Sequence, residues 1–135
     1  DGQINGKFNI DMSSISVSDL QGGGKKSLER HLKNEDFFDV NNFPIATLEF
    51  SSRTENIIKN KLSLASELTV KNITNPLKFS AQIIEASPQL KIKADIVFDR
   101  SIYDVRYGSG KFFENLGDRL ILDEVQIGAI LLFNL

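Results

Sequence analysis

Leu90-Lys91-Ile92-Lys93-Ala94-Asp95-Ile96-Val97-Phe98-Asp99 decides the fold class. Its even positions are all apolar, and its odd positions, Val97 apart, are all charged. A period of two gives one dry and one wet face only when the backbone is extended. The pattern recurs upstream. Leu77, Phe79, Ala81 and Ile83 oppose Lys78, Ser80 and Gln82; Leu62, Leu64, Leu68 and Val70 oppose Lys61, Ser63, Glu67 and Thr69. Ala46, Leu48 and Phe50 oppose Thr47, Glu49, Ser51 and Arg53, and Phe8, Ile10 and Met12 oppose Lys7, Asn9 and Asp11. Ser13-Ser14 breaks the register, and a bulge there would let Ile15 and Val17 resume it. A last strand over 121–133 puts Val125, Ile127, Ala129, Leu131 and Phe133 on one face, while Ile130 and Leu132 make the other face apolar too.

Six strands with mostly short connections pair antiparallel with their neighbours. They predict an all-β chain, an antiparallel sheet closed around an apolar interior. Barrels of about eight strands either fill with side chains or enclose one small ligand. Two short helices interrupt the strands. Over 27–34, Ser27 serves as N-cap, Leu28 and Leu32 lie one turn apart, and Glu29 faces Lys33. Gly22-Gly23-Gly24 before it reads as a flexible turn. Over 111–116 a helical turn is expected, ended by Gly117. It lies in the longest irregular stretch, 101–119, and long loops inside compact domains are usually functional. Asn72 stands where a turn needs a left-handed residue.

The 135 residues are enough for one domain, 1–135, with its own core. A net charge of −2 gives no electrostatic reason to bind nucleic acid. The longest apolar run, Ile127 to Phe133, falls far short of the ~20 residues of a transmembrane segment. No signal peptide is visible in this chain, and the compartment is open. With no cysteine and His31 as the lone histidine, the usual zinc sites are out of reach. Asp118, Asp123 and Glu124 lack the spacing of a calcium loop. No G-x-S-x-G elbow accompanies His31, which is expected to make a structural hydrogen bond. Asp36 and Asp39 read as turn caps, and Asp99 and Arg100 as a salt-bridged rim. Arg100 ends a strand, so its guanidinium would either hold a polar head group or close the barrel by bonding carbonyls. Of ten Phe, five sit in or beside connections: Phe37, Phe38, Phe43, Phe112 and Phe113. Such loops either fold over an apolar opening or plug the ends of a core.

Four segments, in order, resemble one family. His31-Leu32-Lys33-Asn34-Glu35-Asp36-Phe37-Phe38-Asp39-Val40-Asn41-Asn42-Phe43-Pro44 resembles the hL-x-x-x-D-F-F-D-V-x-x-F/Y-P segment of the YceI-like proteins. Leu68 to Pro76 resembles their LTI-x-G-x-T-x-P turn, with Asn72 where Gly is more usual. Asp99 to Gly110 resembles their D-R-S-x-(aromatic)-x-V-x-Y-G-S-G run, and Asp123-Glu124-Val125 the acidic pair that opens their last strand. The resemblance implies a lipocalin-like barrel of eight antiparallel strands around a tunnel. Asp1-Gly2 resembles the turn before the family's third strand, so the chain is expected to be N-terminally truncated, lacking two strands. The resemblance also implies a bacterial, periplasmic or secreted protein that is not an enzyme. It would bind a long apolar ligand: a polyisoprenoid, an isoprenoid quinone or a similar lipid or amphiphile, with no other cofactor.

The alternation supplies the inward candidates for such a ligand: Phe8, Ile10, Leu48, Phe50, Leu64, Phe79, Ile92, Ile96, Phe98 and Ile127. Phe37, Phe38, Phe43, Tyr103, Phe112 and Phe113 would shape the mouth, with Arg100 beside them. Two alternatives belong to other classes. One is a side-chain-filled barrel acting as a stress-associated structural or interaction protein. The other is a small hydrolase, which would need a Ser or Asp within reach of His31. Unpaired strand edges and the two-faced last strand predict self-association.

Overall fold

The computed structural model describes residues 2–53 and 57–134; Asp1 of the expected Asp1-Gly2 turn lies outside them. Among the described residues, seven strands form one antiparallel sheet: β1 (Gln3–Asp11), β2 (Ile45–Arg53), β3 (Ile57–Ile58), β4 (Lys61–Val70), β5 (Ile73–Glu85), β6 (Gln89–Asp99) and β7 (Glu124–Asn134). The order is β1-β2-β4-β5-β6-β7, and β3 pairs with the start of β4 beyond the β2 ladder. The sheet curls into a half-barrel. Among the described residues no ladder joins β1 to β7.

The alternation sets the register. Leu48, Leu64, Leu68, Phe79, Ile92, Ile96 and Phe98 are buried on the inner face, and the charged positions between them face out. Two hairpins turn on residue pairs with positive φ: Lys59 (51°) with Asn60 (64°), and Lys71 (52°) with Asn72 (61°). Paired left-handed residues match the right-handed twist of the flanking strands, which is why Asn recurs there. The second turn is shorter than expected, because β5 starts at Ile73 and takes Pro76 into the strand. Pro76 faces Glu67 of β4, while the ladder to β6 starts only at Ser80, so the missing N–H breaks no bond on that side.

Both expected helices differ from the observed structure. Helix α1 spans Gly22–Lys33, so the three glycines form its first turn and Gln21, not Ser27, is the N-cap. Glu29 does not pair with Lys33. It lies 3.8 Å from Lys25 and accepts hydrogen bonds from Val17 N (2.9 Å) and Ser16 Oγ (3.3 Å). These bonds tie the helix to the preceding segment, a tether no local pattern reveals. Residues 111–116 form turns instead of a helix. Asn115 (φ 57°) and Gly117 (φ 54°) are left-handed, and Gly117 opens a 3-10 turn, Gly117–Arg119, instead of ending a helix. Nor does the chain resume its strand after Ser13-Ser14. Asp11 caps a 3-10 turn at Met12–Ser14 by accepting from Ser13 N, and the backbone leaves the sheet there.

Strand directions divide the molecule into two ends. Residues 12–44 and 100–123 lie at one end, with Asp11, Ile45, Asp99 and Glu124. The two-residue turn at Lys59-Asn60 and the β5–β6 connection lie at the other, with Gln3, Arg53, Gln89 and Asn134.

Candidate functional site

Four phenylalanines from four strands converge on the inner face. Phe8 stacks near Phe50, with centroids 5.8 Å apart. Phe50 meets Phe79 (6.2 Å) and Phe133 (6.0 Å) edge-on, and Phe133 also reaches Phe8 at 6.3 Å. Offset and edge-to-face pairs at these separations add about 0.5–1.5 kcal/mol each beyond area burial. The cluster spans the open sheet, because Phe8 belongs to β1 and Phe133 to β7. Phe50 sits in a register row with small neighbours, Gly6 on β1 and Ser66 on β4. The hollow of about 760 Å³ along these strands opens on the opposite, outer face, where the outward residues Asn5, Lys7, Glu49, Ser51, Ala65 and Glu67 line it.

The ten inward candidates all lie on this face but are not equally covered. Leu48, Phe50, Leu64, Phe79, Ile92, Ile96 and Phe98 are buried, and Phe8 is half-buried. Ile10 on β1 and Ile127 on β7 remain 39% and 37% exposed. Both belong to end strands of the sheet, so neither is covered by a strand on its far side. Phe133 was read from the sequence only as part of the core face of the last strand, yet it touches two members of the cluster. Its signal was there, because it continues the Val125–Leu131 alternation.

The loop aromatics do not form one rim. Phe37 and Tyr103 are buried, Phe38 and Phe43 are half-buried, and Phe112 and Phe113 are exposed. Phe37 packs edge-on to Phe38 at 4.9 Å and lies under the Arg100 guanidinium at 5.1 Å. Tyr103 meets Phe98 at 5.6 Å. These contacts seal one end of the sheet. Phe112 lies instead under Arg106 at 4.5 Å, and Phe113 borders a separate hollow of about 180 Å³ with Tyr107, Leu116 and Arg119.

Arg100 is 1% exposed, and its donors are taken up within the protein. Nε donates to Leu122 O at 3.0 Å, Nη1 to Val105 O at 2.8 Å and Nη2 to Ile121 O at 3.0 Å. Burial pulls the guanidinium below its ordinary pKa, while Asp123, at 3.7 Å, and Asp99 oppose that shift. Asp99 does not pair with Arg100 as a rim. It caps the 3-10 turn Arg100–Tyr103 through Ser101 N (2.9 Å) and Ser101 Oγ (2.6 Å), and forms an ion pair with Lys111. Burial opposes ionisation of Asp99, but the bonds from Lys111 and Ser101 outweigh it and hold the carboxyl below its ordinary value. Burial raises the Tyr103 phenol, against a hydrogen bond from Asn75.

His31 makes ring contacts where a hydrogen bond was expected. It packs edge-on to Tyr107 at 4.3 Å and to Phe37 at 5.8 Å, and its buried Nε2 has no hydrogen-bond partner among the described residues. It thereby joins α1 to the 100–123 segment. Asp39, left-handed at φ 48°, anchors its turn by accepting from Asn42 Nδ2 at 3.1 Å. Among the described residues no group of His, Cys, Asp and Glu side chains could hold a metal ion. No helix there is long and apolar enough to cross a membrane.

The model of the YceI-like domain matches residues 1–131. No curated protein matches the sequence. Among solved structures, Burkholderia cenocepacia BcnA is 22% identical with a TM-score of 0.71, over 93% of this chain and 72% of that one. The Campylobacter jejuni YceI protein is 16% identical with a TM-score of 0.71, over 96% and 71%. A polyisoprenoid-binding domain from Saccharophagus degradans is 11% identical with a TM-score of 0.65, over 96% and 76%. At these identities the likeness is one of fold.

Proposed function

We propose that this chain, which belongs to the YceI-like family, binds a long apolar ligand against the inner face of its half-barrel: a polyisoprenoid, an isoprenoid quinone or a similar lipid. The observation that carries the reading is the cluster of Phe8, Phe50, Phe79 and Phe133, which reaches from β1 to β7, the end strands on which Ile10 and Ile127 stay exposed on the same face. Polyisoprenoid binding by the Saccharophagus degradans domain supports the ligand class. Burial drives binding: each CH₂ removed from water contributes about 0.8 kcal/mol. A tail of several isoprene units therefore needs few polar contacts. The aromatic rings separate to admit the tail and close behind it, and the packed end at Arg100, Phe37 and Tyr103 sets how far it reaches. This is binding without chemistry, a reading that fits a site built of apolar side chains.

One observation favours a second reading. The four rings already touch, as they would in a side-chain-filled barrel serving as a structural or interaction protein. Native mass spectrometry of the gently purified protein separates the two. A retained apolar mass, lost in Phe50→Ala, supports lipid binding. A bare chain that also fails to take up a fluorescent isoprenoid supports the filled barrel.

A further inference from the structure

The outer face of the sheet has two unlike ends. Towards the packed end its charges are mixed: Lys7 faces Glu49 across β1 and β2, Glu49 faces Glu67 across β2 and β4, and Glu124 starts β7. At the opposite end one register row crosses five strands: Ile58, Lys61, Gln82, Lys93, Ile130. At about 4.8 Å per strand the row spans about 19 Å. Beside it lie Leu132, paired with Lys91, and Ile84, in the bulge of β5. Ile58, Ile130 and Leu132 are 70%, 61% and 56% exposed. Lys59 tops the adjoining turn. Among the described residues the acids nearby are Glu85, opposite Lys91, and Asp95, one row inward. Among the described residues, Lys61, Lys91 and Lys93 make no ion pair.

We propose that this end of the outer face docks on an anionic lipid bilayer. Two features of the patch fit that partner together. Unpaired lysines near an anionic membrane surface gain about 1 kcal/mol each, and exposed Ile and Leu side chains gain by entering the headgroup boundary. A second copy of the chain is a poorer occupant, because face-to-face pairing would set lysine rows against each other. The proposal stands apart from the ligand reading, since a bilayer contact here needs nothing bound on the inner face.

The test is co-sedimentation with phosphatidylcholine vesicles, with and without phosphatidylglycerol. The protein should bind only the anionic vesicles and detach as salt rises. Lys91→Gln with Lys93→Gln should weaken partitioning about 30-fold, the equivalent of about 1 kcal/mol per lysine. Ile130→Ser with Leu132→Ser should weaken it at least about tenfold. All four side chains face outward, and circular dichroism checks that the variants keep their fold. Equal binding to neutral vesicles, or full binding by either double variant, overturns the proposal. So does sedimentation velocity without lipid, if the apolar double variant turns a dimer into a monomer, because the patch is then a self-association surface.

Discussion

The Phe50 ring fills the space that a side chain at Gly6 would need: an added Cβ would come within 2.6 Å of its Cε1 atom. The two residues face each other across β1 and β2. An aromatic ring laid over a cross-strand glycine covers the backbone that the glycine leaves bare.

Gly6→Ala should therefore act through Phe50 and not through β1 alone. The ring must shift, and with it the contacts to Phe8, Phe79 and Phe133. Overpacking of this kind costs about 1–3 kcal/mol, visible as a lower Tm. In the Phe50→Leu background the same glycine change should cost much less. Equal costs in both backgrounds would show that the two residues are not coupled.

Arg100→Ala should rank among the most damaging single changes. It strips donors from three carbonyls and leaves Asp123 without its partner. The loss should be roughly 3–5 kcal/mol, measured by denaturant unfolding. Arg100→Lys should recover little of it, because a single ammonium cannot reproduce the planar fork.

Asp99 gives the acid limb of stability its direction. Its native pKa lies below the ordinary 3.8, so the unfolded chain takes up the proton first as pH falls. The stabilising contribution is complete above the unfolded value and is lost as pH drops through the native one. Asp99→Asn should flatten the acid limb of the Tm–pH curve between about pH 4 and 2. An unchanged acid limb would assign the acid sensitivity to other carboxylates, such as Asp11 and Glu29, whose pKa values are also lowered by hydrogen bonds, from Ser13 and Val17.

Ligand affinity should vary little between low and high salt, because screening acts on charges and not on buried CH₂ groups. Fluorescent isoprenoid titration at two ionic strengths tests this. A steep fall with salt would place a charged head group at the centre of recognition.

Period-two alternation made the sheet and its inner face legible from Phe8 to Phe133, because burial on one side of a strand leaves a direct mark on composition. The elements that escaped are held by contacts across the chain. The glycine-rich start of α1 goes against helical propensity, yet Glu29 is fixed by Val17 and Ser16. The 111–116 segment has helix-forming residues, yet left-handed Asn115 and Gly117 break it. His31 was expected to bond and instead packs against Tyr107, 76 residues later, a pairing no local spacing shows. Arg100 left two roles open in sequence; the carbonyls that surround its guanidinium come from Val105, Ile121 and Leu122, which alternation does not place.

The Phe8–Phe133 contact also bears on the order of folding. Every ladder on the main path joins strands that follow closely in sequence, apart from the loops 12–44 and 100–123. Hairpins of β4 with β5 and of β5 with β6 close short loops and form early. Bringing Phe8 to Phe133 closes nearly the whole chain, which costs more loop entropy and waits for the sheet to curl. The aromatic cluster should therefore be completed late, and amide exchange should be faster along β1 and β7 than along β4 and β5.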